Sequence, residues 1–597
     1  MFENEKIVEN KICKHCNISF EITDKDLEFY EKISPIFDWK KYLIPSPKLC
    51  PDCRQQRRLS FRNERKLYKR KCDFSWKDIV SIYSPDKKYK VYDQDIWWID
   101  KWNTLDYWKD FDFNKGFFEQ FGELMREVPR IWILNWFSEN ANYWNHSYYN
   151  KNSYSVNSCW YVENCYYCTE TWKSFDCIDC YNVFNSSLCY ELLDCINCNN
   201  CQYIENSNDC FKCFLCKDCD LCKNCIWCKN LKGKEYYIFN KKSNKKDFDE
   251  ILNNFFYLKN ERKEIFKEFE NIKLNFPSKS INNLNCEKSY FSNNCSDCEN
   301  IKYCFDCKDC KNVAFSTRIF FGWAENCYDF DLWWEKSSLV YETHCTWNTY
   351  NVLFSNIVWW WSNIFYCDNL LWNSNNCFGC VWLKNQQYCI LNKQYTKEEY
   401  EKLVPRIIEK MQETLEWWEF FPSSISPFWY NETVANEYFP LESPQSQPFS
   451  QREKGVEKDS SFPLKWGGLR GSFNRSFYEA PFPKVEKIIT VEMYSNTSLL
   501  EDISKIPDDI LNWAIECERS WKPFRIIKQE LEFYRKHNLP IPRRHPEQRH
   551  LDRMKLRNPR KLFDRKCDKC GKEIKTTYSP DRKEIVYCEN CYKKEVY

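Results

Sequence analysis

All sixteen cysteines from Cys159 to Cys228 are separated by multiples of three, at intervals of 3, 6 or 9 residues. A helix repeats at 3.6 and a simple strand at 2, so neither places equivalent side chains this way. A coil with short straight sides does, because equivalent positions stack from one turn to the next. The spacing predicts a short-coil β-solenoid over residues 151–245. Intervals of 9, 12 and 21 all recur, and they leave the coil length open.

The design is repeated. "NCIWCKNLK" begins at Asn224 and "NCFGCVWLK" at Asn376, an offset of 152. An amphipathic helix follows each: Phe248, Ile251, Leu252, Phe255 and Phe256 in one, Tyr400, Leu403, Val404, Ile407 and Ile408 in the other. Both sets fall at i, i+3, i+4, i+7, i+8. A second, looser solenoid is expected over 281–395, with its cysteines changing phase between Cys310 and Cys327. The other expected segments are an N-terminal zinc ribbon with a basic segment (1–71), a mixed α/β domain (72–150), a helical connector (246–280) and a helix (396–420). A Pro/Ser-rich linker (421–480), a helical basic region (481–560) and a C-terminal zinc ribbon (561–597) complete the division. The fold class is thus mixed β/α and multidomain: two Cys-rich, β-helix-like solenoids, each followed by an amphipathic helix, flanked by terminal zinc ribbons.

Eight further cysteines carry the clearest chemical signal. Cys567, Cys570, Cys588 and Cys591 form two Cys-x-x-Cys pairs 17 residues apart, the pattern of a four-thiolate zinc ribbon. Cys13, Cys16, Cys50 and Cys53 repeat it with a 33-residue insertion, and His15 competes as a ligand. Four thiolates close a tetrahedral zinc site, leaving no position for substrate, so two structural zinc ions are expected. Cys72 and Cys517 read as knuckles that kept one cysteine each, or as contributors to a shared site. The 28 array cysteines admit three readings: reduced core residues, zinc or copper(I) thiolate sites, or disulfides, which a reducing cytosol disfavours.

Charge is balanced overall, Lys+Arg 88 against Asp+Glu 86, but unevenly placed. "RQQRRLSFRNERKLYKRK" (54–71) and the run 543–566 are basic, and each adjoins a knuckle. That arrangement marks Arg54, Arg57, Arg58, Arg543 and Arg544 as candidates for binding a nucleic-acid backbone. A solvated helix face or an acidic protein partner explains the same residues. No Walker loop, G-x-G-x-x-G, G-x-S-x-G or H-E-x-x-H occurs, even with tryptophan allowed to stand for glycine. The first ten residues lack an apolar stretch and no run is long enough to span a membrane, so a cytoplasmic location is expected.

The chain has 10 glycines and 27 tryptophans. In "CDFSWKDIVSIYSPD" (from Cys72) and "CDKCGKEIKTTYSPD" (from Cys567), Trp76 faces Gly571; in the solenoid repeat Trp227 faces Gly379, and Trp382 faces Asn230. Trp521 follows Cys517 as Trp76 follows Cys72, and Trp172 is the next such position. We read these as glycine codons (UGA) rendered as tryptophan, whereas Trp97 and Trp98 are read as genuine. "LCPDCRQQRR", "YSPDKKYKVYDQDIWW", "FFEQFGELMREVP", "YCILNKQYTKEEYEKLVP" and "HPEQRHLDRMKLRNPRKL" carry a resemblance over nearly the whole chain. It resembles uncharacterised cysteine-rich zinc-ribbon proteins of candidate-phyla bacteria, some of which read UGA as glycine. Members sometimes carry a CaiB/BaiF CoA-transferase label, for which no residues here give support.

The function expected from the sequence is a non-enzymatic zinc-binding scaffold with a macromolecular partner, RNA or a ribonucleoprotein foremost. The alternative is a metal-handling or thiol-buffering protein that uses the arrays.

Overall fold

The computed structural model describes residues 5–596 apart from 142, 258–261, 321–326, 335–336, 361, 372, 441–484 and 498–499. Most of the 421–480 linker therefore lies outside the described residues. The fold is a β-solenoid with helices outside it and cysteine clusters near both ends of the chain. The chain divides into two compact units. One comprises residues 1–133 with 281–440, and the other 134–280 with the C-terminal region.

In the unit containing 134–280, mostly parallel strands build a nine-stranded sheet. Cys177 pairs with Cys189, Tyr181 with Leu193, and Cys216 with Cys228, so one coil is twelve residues long. A left-handed residue recurs every third position, at Asn164, Tyr167, Glu170, Lys173, Asp176 and Asp179 among others. Each coil is therefore four sides of three residues. One residue points inward, one lies along the side, and one turns the corner at positive φ. The period of three comes from these corners. Their cost of ~1–2 kcal/mol for an ordinary residue is eased by Asn and Asp, which tolerate the left-handed region. The corner amides also bond from coil to coil, as in Asn164 Nδ2 to Asp176 Oδ1 at 3.1 Å and Asn197 Nδ2 to Asp209 Oδ1 at 3.0 Å. Coiling begins at Asn135, ahead of the first array cysteine.

The interior is narrow, which selects for small residues. Cys159, Cys165, Cys177, Val183, Cys189, Cys213 and their neighbours form one buried cluster. Cysteine also satisfies a polar need there. Its S–H donates to the carbonyl two residues back, as Cys189 does to Ser187 O at 3.1 Å and Cys216 to Phe214 O at 3.3 Å. Serine at the same inward position makes the same bond, Ser207 Oγ to Glu205 O at 2.8 Å.

The other unit carries a thirteen-stranded, mostly parallel sheet. Its coils are also twelve residues where Glu287 pairs with Glu299. Ala314 pairs with Tyr328, Tyr328 with Tyr341, and Ile364 with Cys377, giving coils of fourteen, thirteen and thirteen residues. These longer coils account for the phase change after Cys310. Cys345 departs from the pattern by taking a corner, at φ 55°.

Both amphipathic helices form. Lys245–Tyr257 packs Phe248 against Ile226 and Trp227, with Ile251 and Leu252 beside them. The side chains of Phe255 and Phe256 lie outside the described residues. Lys397–Glu413 starts with a Thr396/Glu399 capping box and buries Tyr400, Val404, Ile407 and Ile408. Among the described residues no helix is long and apolar enough to cross a membrane.

Candidate metal centres and the arginine helices

Each four-cysteine cluster is assembled from a hairpin and a helix start. In the first, strands Ile7–Ile12 and Ser19–Thr23 pair antiparallel, with Cys13 and Cys16 on the knuckle between them. Cys50 caps the helix Pro51–Leu59, and Cys53 lies in its first turn. The second uses strands Phe563–Lys566 and Glu573–Thr576, with Cys588 just before the helix Glu589–Val596. Placing two sulfurs at a helix N-terminus favours the thiolate, because the unpaired N–H groups there are partially positive.

The backbone frames of the two match. Cys13 N–H donates to Ile18 O at 2.9 Å and Asn17 N–H to Cys13 O at 3.0 Å; Cys567 N–H donates to Lys572 O at 2.8 Å and Gly571 N–H to Cys567 O at 2.9 Å. Cys50 N–H reaches Cys13 Sγ at 3.3 Å, and Cys588 N–H reaches Cys567 Sγ at 3.2 Å. The four sulfurs of each set lie within 4.8 Å of one another, as one small ion requires. Burial would raise the Cys567 thiol, but N–H groups from Cys588, Cys570 and Lys569 bring it down to about 6. His15 is outside the four-sulfur group, its Nδ1 lying 3.3 Å from Cys53 Sγ. The sets differ in exposure: Cys13, Cys50 and Cys53 are buried, whereas Cys570 is exposed.

The knuckle ends on a left-handed residue in both, Asn17 at φ 59° and Gly571 at φ 74°. Trp76 and Trp521 take φ 60° and 59° at the same place. A Cβ added to Gly571 meets nothing within 4 Å, so the position demands a backbone conformation and not an empty space. Trp227 and Trp382 are also left-handed, at 52° and 55°, but so are Leu215 and Ile357, since any residue can occupy a solenoid corner. Trp172 ends the extended strand Thr169–Trp172 and stacks on Trp160 with centroids 5.4 Å apart. Trp97 is fully buried and donates Nε1–H to Pro129 O at 3.2 Å.

The five candidate arginines all face carboxylates of their own unit. Arg54 Nε lies 2.5 Å from Asp329, and Arg58 Nε donates to Asp331 at 2.8 Å. Arg57 bridges Glu342 at 2.9 Å and Glu419 at 2.7 Å. Arg543 pairs with Glu501 at 2.6 Å, and Arg544 with Glu518 and Asp552, each at 2.8 Å. Arg54 and Arg58 are almost fully buried and seat the helix Pro51–Leu59 on the solenoid wall.

Sequence reasoning missed the counterpart of this clamp. "CPDCRQQRR" (from Cys50) aligns with "HPEQRHLDR" (from His545), and the match runs without a gap into the Cys72 and Cys567 knuckles. The offset is 495 at Arg54/Arg549, Arg58/Arg553 and Cys72/Cys567 alike. Arg549 and Arg553 are buried in turn: Arg549 pairs with Asp179 and with Glu530 at 3.2 Å, Arg553 with Asp179 at 3.1 Å and Glu191 at 3.0 Å. Asp329 and Glu342 in one unit, like Asp179 and Glu191 in the other, sit at corners one coil apart. Burial raises Asp329 to about 6 against the pull of Arg54 and Arg58, and raises Glu191 to about 7 against that of Arg553. The constant offset is the signal, and it is masked where His545 and Gln548 replace Cys50 and Cys53.

Each hairpin-and-helix set brings four thiols close enough together to hold one metal ion. No protein-family model matches the chain, and no curated protein matches it.

Proposed function

We propose that the protein is a non-enzymatic scaffold in which two zinc ions, one at Cys13, Cys16, Cys50 and Cys53 and one at Cys567, Cys570, Cys588 and Cys591, fix ribbons that are clamped onto solenoid walls by buried arginines. In this reading each compact unit carries its own Cys-lined solenoid. The observation that carries it is the pair of four-sulfur groups, each closed within 4.8 Å on a matching backbone frame. Zinc is favoured over other ions because four thiolates in a closed tetrahedral set suit it, and because its role there is structural.

The arrays serve as core. Their thiols donate to backbone carbonyls, as in Cys210 to Asn208 O at 3.3 Å and Cys222 to Asp220 O at 3.3 Å. Burial pushes Cys159 and Cys195 up, whereas against burial hydrogen bonds from Cys165 and Cys180 bring Cys168 down to about 6, so it is the S–H bonds to backbone carbonyls that carry the reading. The metal-handling alternative therefore has less support. The proposed partner is macromolecular, RNA or a ribonucleoprotein foremost; Arg54, Arg57 and Arg58 are held in ion pairs with the solenoid, whereas Arg544 keeps 43% of its side chain exposed.

Elemental analysis of the purified chain tests the reading. Two zinc ions per chain are expected. Four or more would make the arrays ligands, and none would remove the zinc ribbons.

A further inference from the structure

Two more knuckles have the ribbon frame without its ligands. Cys72 N–H donates to Lys77 O at 2.9 Å and Trp76 N–H to Cys72 O at 2.9 Å; Cys517 N–H donates to Lys522 O at 3.1 Å and Trp521 N–H to Cys517 O at 2.9 Å. These repeat the bonds around Cys13 and Cys567. The Cys72 knuckle also carries its second half. Asp93 N–H reaches Cys72 Sγ at 3.3 Å, as Cys588 N–H reaches Cys567 Sγ at 3.2 Å. Asp93 caps the helix Gln94–Trp98, in the place where Cys588 precedes its own helix. At the offset of 495, Ser75 stands for Cys570, Asp93 for Cys588 and Ile96 for Cys591.

What fills the centre differs. Ser75 Oγ donates to Asp93 Oδ2 at 3.0 Å, whereas the sulfurs of Cys570 and Cys588 face each other at 3.8 Å. The other carboxylate oxygen of Asp93 accepts the N–H of Ile96 at 3.0 Å. Asp93 and Cys72 are both buried, so the polar groups that remain are satisfied without an ion. Ile96 offers no donor atom at all. In the Cys517 knuckle, Ser520 and Gln548 stand where Cys16 and Cys53 stand in the first ribbon.

We infer that the Cys72 knuckle is a metal-free ribbon, closed by the Ser75–Asp93 hydrogen bond, whose frame still fits a four-thiolate divalent ion. The inference rests on the zinc reading of the intact ribbons. It explains why, among the described residues, the unit holding Cys72 contains two knuckles but one four-sulfur group. It also makes the site latent: restoring the sulfurs restores the metal.

The test is the full chain carrying Ser75→Cys, Asp93→Cys and Ile96→Cys together, loaded with zinc and then with cobalt(II). Zinc is expected to rise by one ion per chain. The cobalt–thiolate absorption is expected to rise to about 1.5 times that of the unsubstituted chain, from two sites to three. An unchanged count in a folded variant overturns the inference. A second variant keeps the test independent of the triple variant's folding: Cys72→Ser alone should leave the zinc content unaltered, and loss of an ion would show that Cys72 is a ligand. No zinc in the unsubstituted chain is failure of the ribbon reading. Two ions in both the unsubstituted and triple-substituted chains is failure of this inference alone.

Discussion

Replacing Trp76 by glycine should strengthen the knuckle that holds it. Trp76 sits at φ 60°, and its side chain is 74% exposed. A left-handed residue with a Cβ costs ~1–2 kcal/mol, and glycine removes that cost. Against it, glycine has more freedom to lose on folding, ~0.5–1 kcal/mol. The exposed indole gives up little burial, so the net gain is about 0.5–1 kcal/mol. Hydrogen exchange of the Cys72 and position-76 amides, which close the knuckle, should slow about two- to fivefold, since that range of free energy corresponds to such a ratio. Trp97→Gly is the control. That indole is fully buried and hydrogen-bonded, so its loss should cost ~3–5 kcal/mol. If Trp76→Gly speeds exchange as Trp97→Gly does, the indole at 76 carries packing and the argument from the left-handed turn fails. Slower exchange with glycine would accord with the reading of UGA as glycine at this position.

Four other outcomes are expected. Arg54→Met and Arg549→Met should each destabilise their unit by ~1–3 kcal/mol, because a buried carboxylate loses one of its two arginine partners; denaturation by urea measures this. Asp329, raised to about 6 by burial, binds its proton more tightly in the folded chain than in the unfolded one. Its contribution to stability is full below its ordinary value and is lost as pH rises through about 6, by up to about 3 kcal/mol; the slope of stability against pH between 4 and 6 should flatten in Asp329→Asn. A strong chelator should strip the C-terminal ribbon first, since Cys570 is exposed while Cys13, Cys50 and Cys53 are buried, and biphasic zinc release that loses its fast phase in Cys570→Ser would show it. Cys213→Ser should change stability little, because a serine hydroxyl can donate to Phe211 O as the thiol does, whereas Cys213→Leu should cost ~1–3 kcal/mol by overpacking, as read from thermal melting.

Much of the architecture is written locally. The period of three in the array arises because every inward residue is followed by one side residue and one corner, so three positions repeat whatever the coil length. The four-cysteine groups are equally local, since each Cys-x-x-Cys pair is placed by its own knuckle or helix start. The helix Lys397–Glu413 is announced by its capping box and apolar stripe. Coil length is another matter. Cysteine intervals of 9 and 12 are both compatible with a three-residue side, and only the pairing of Cys177 with Cys189 selects four sides per coil. The fourteen- and thirteen-residue coils near Tyr328 and Ile364 shift every later inward position, and no sequence rule announces them.

The arginines show the limit most clearly. Read along the chain, 54–71 and 543–566 are runs of positive charge with few acids nearby. Folded, Arg54 meets Asp329 and Arg549 meets Asp179, residues hundreds of positions away. By itself the sequence determined the period of three, the two four-cysteine sets and the amphipathic helices, because each follows from spacing within a few residues. Only the tertiary structure decided the twelve-residue coil, the use of the basic helices as clamps and the Ser75–Asp93 hydrogen bond beside Cys72. Those depend on which distant backbone or carboxylate a group meets, and that is set by packing.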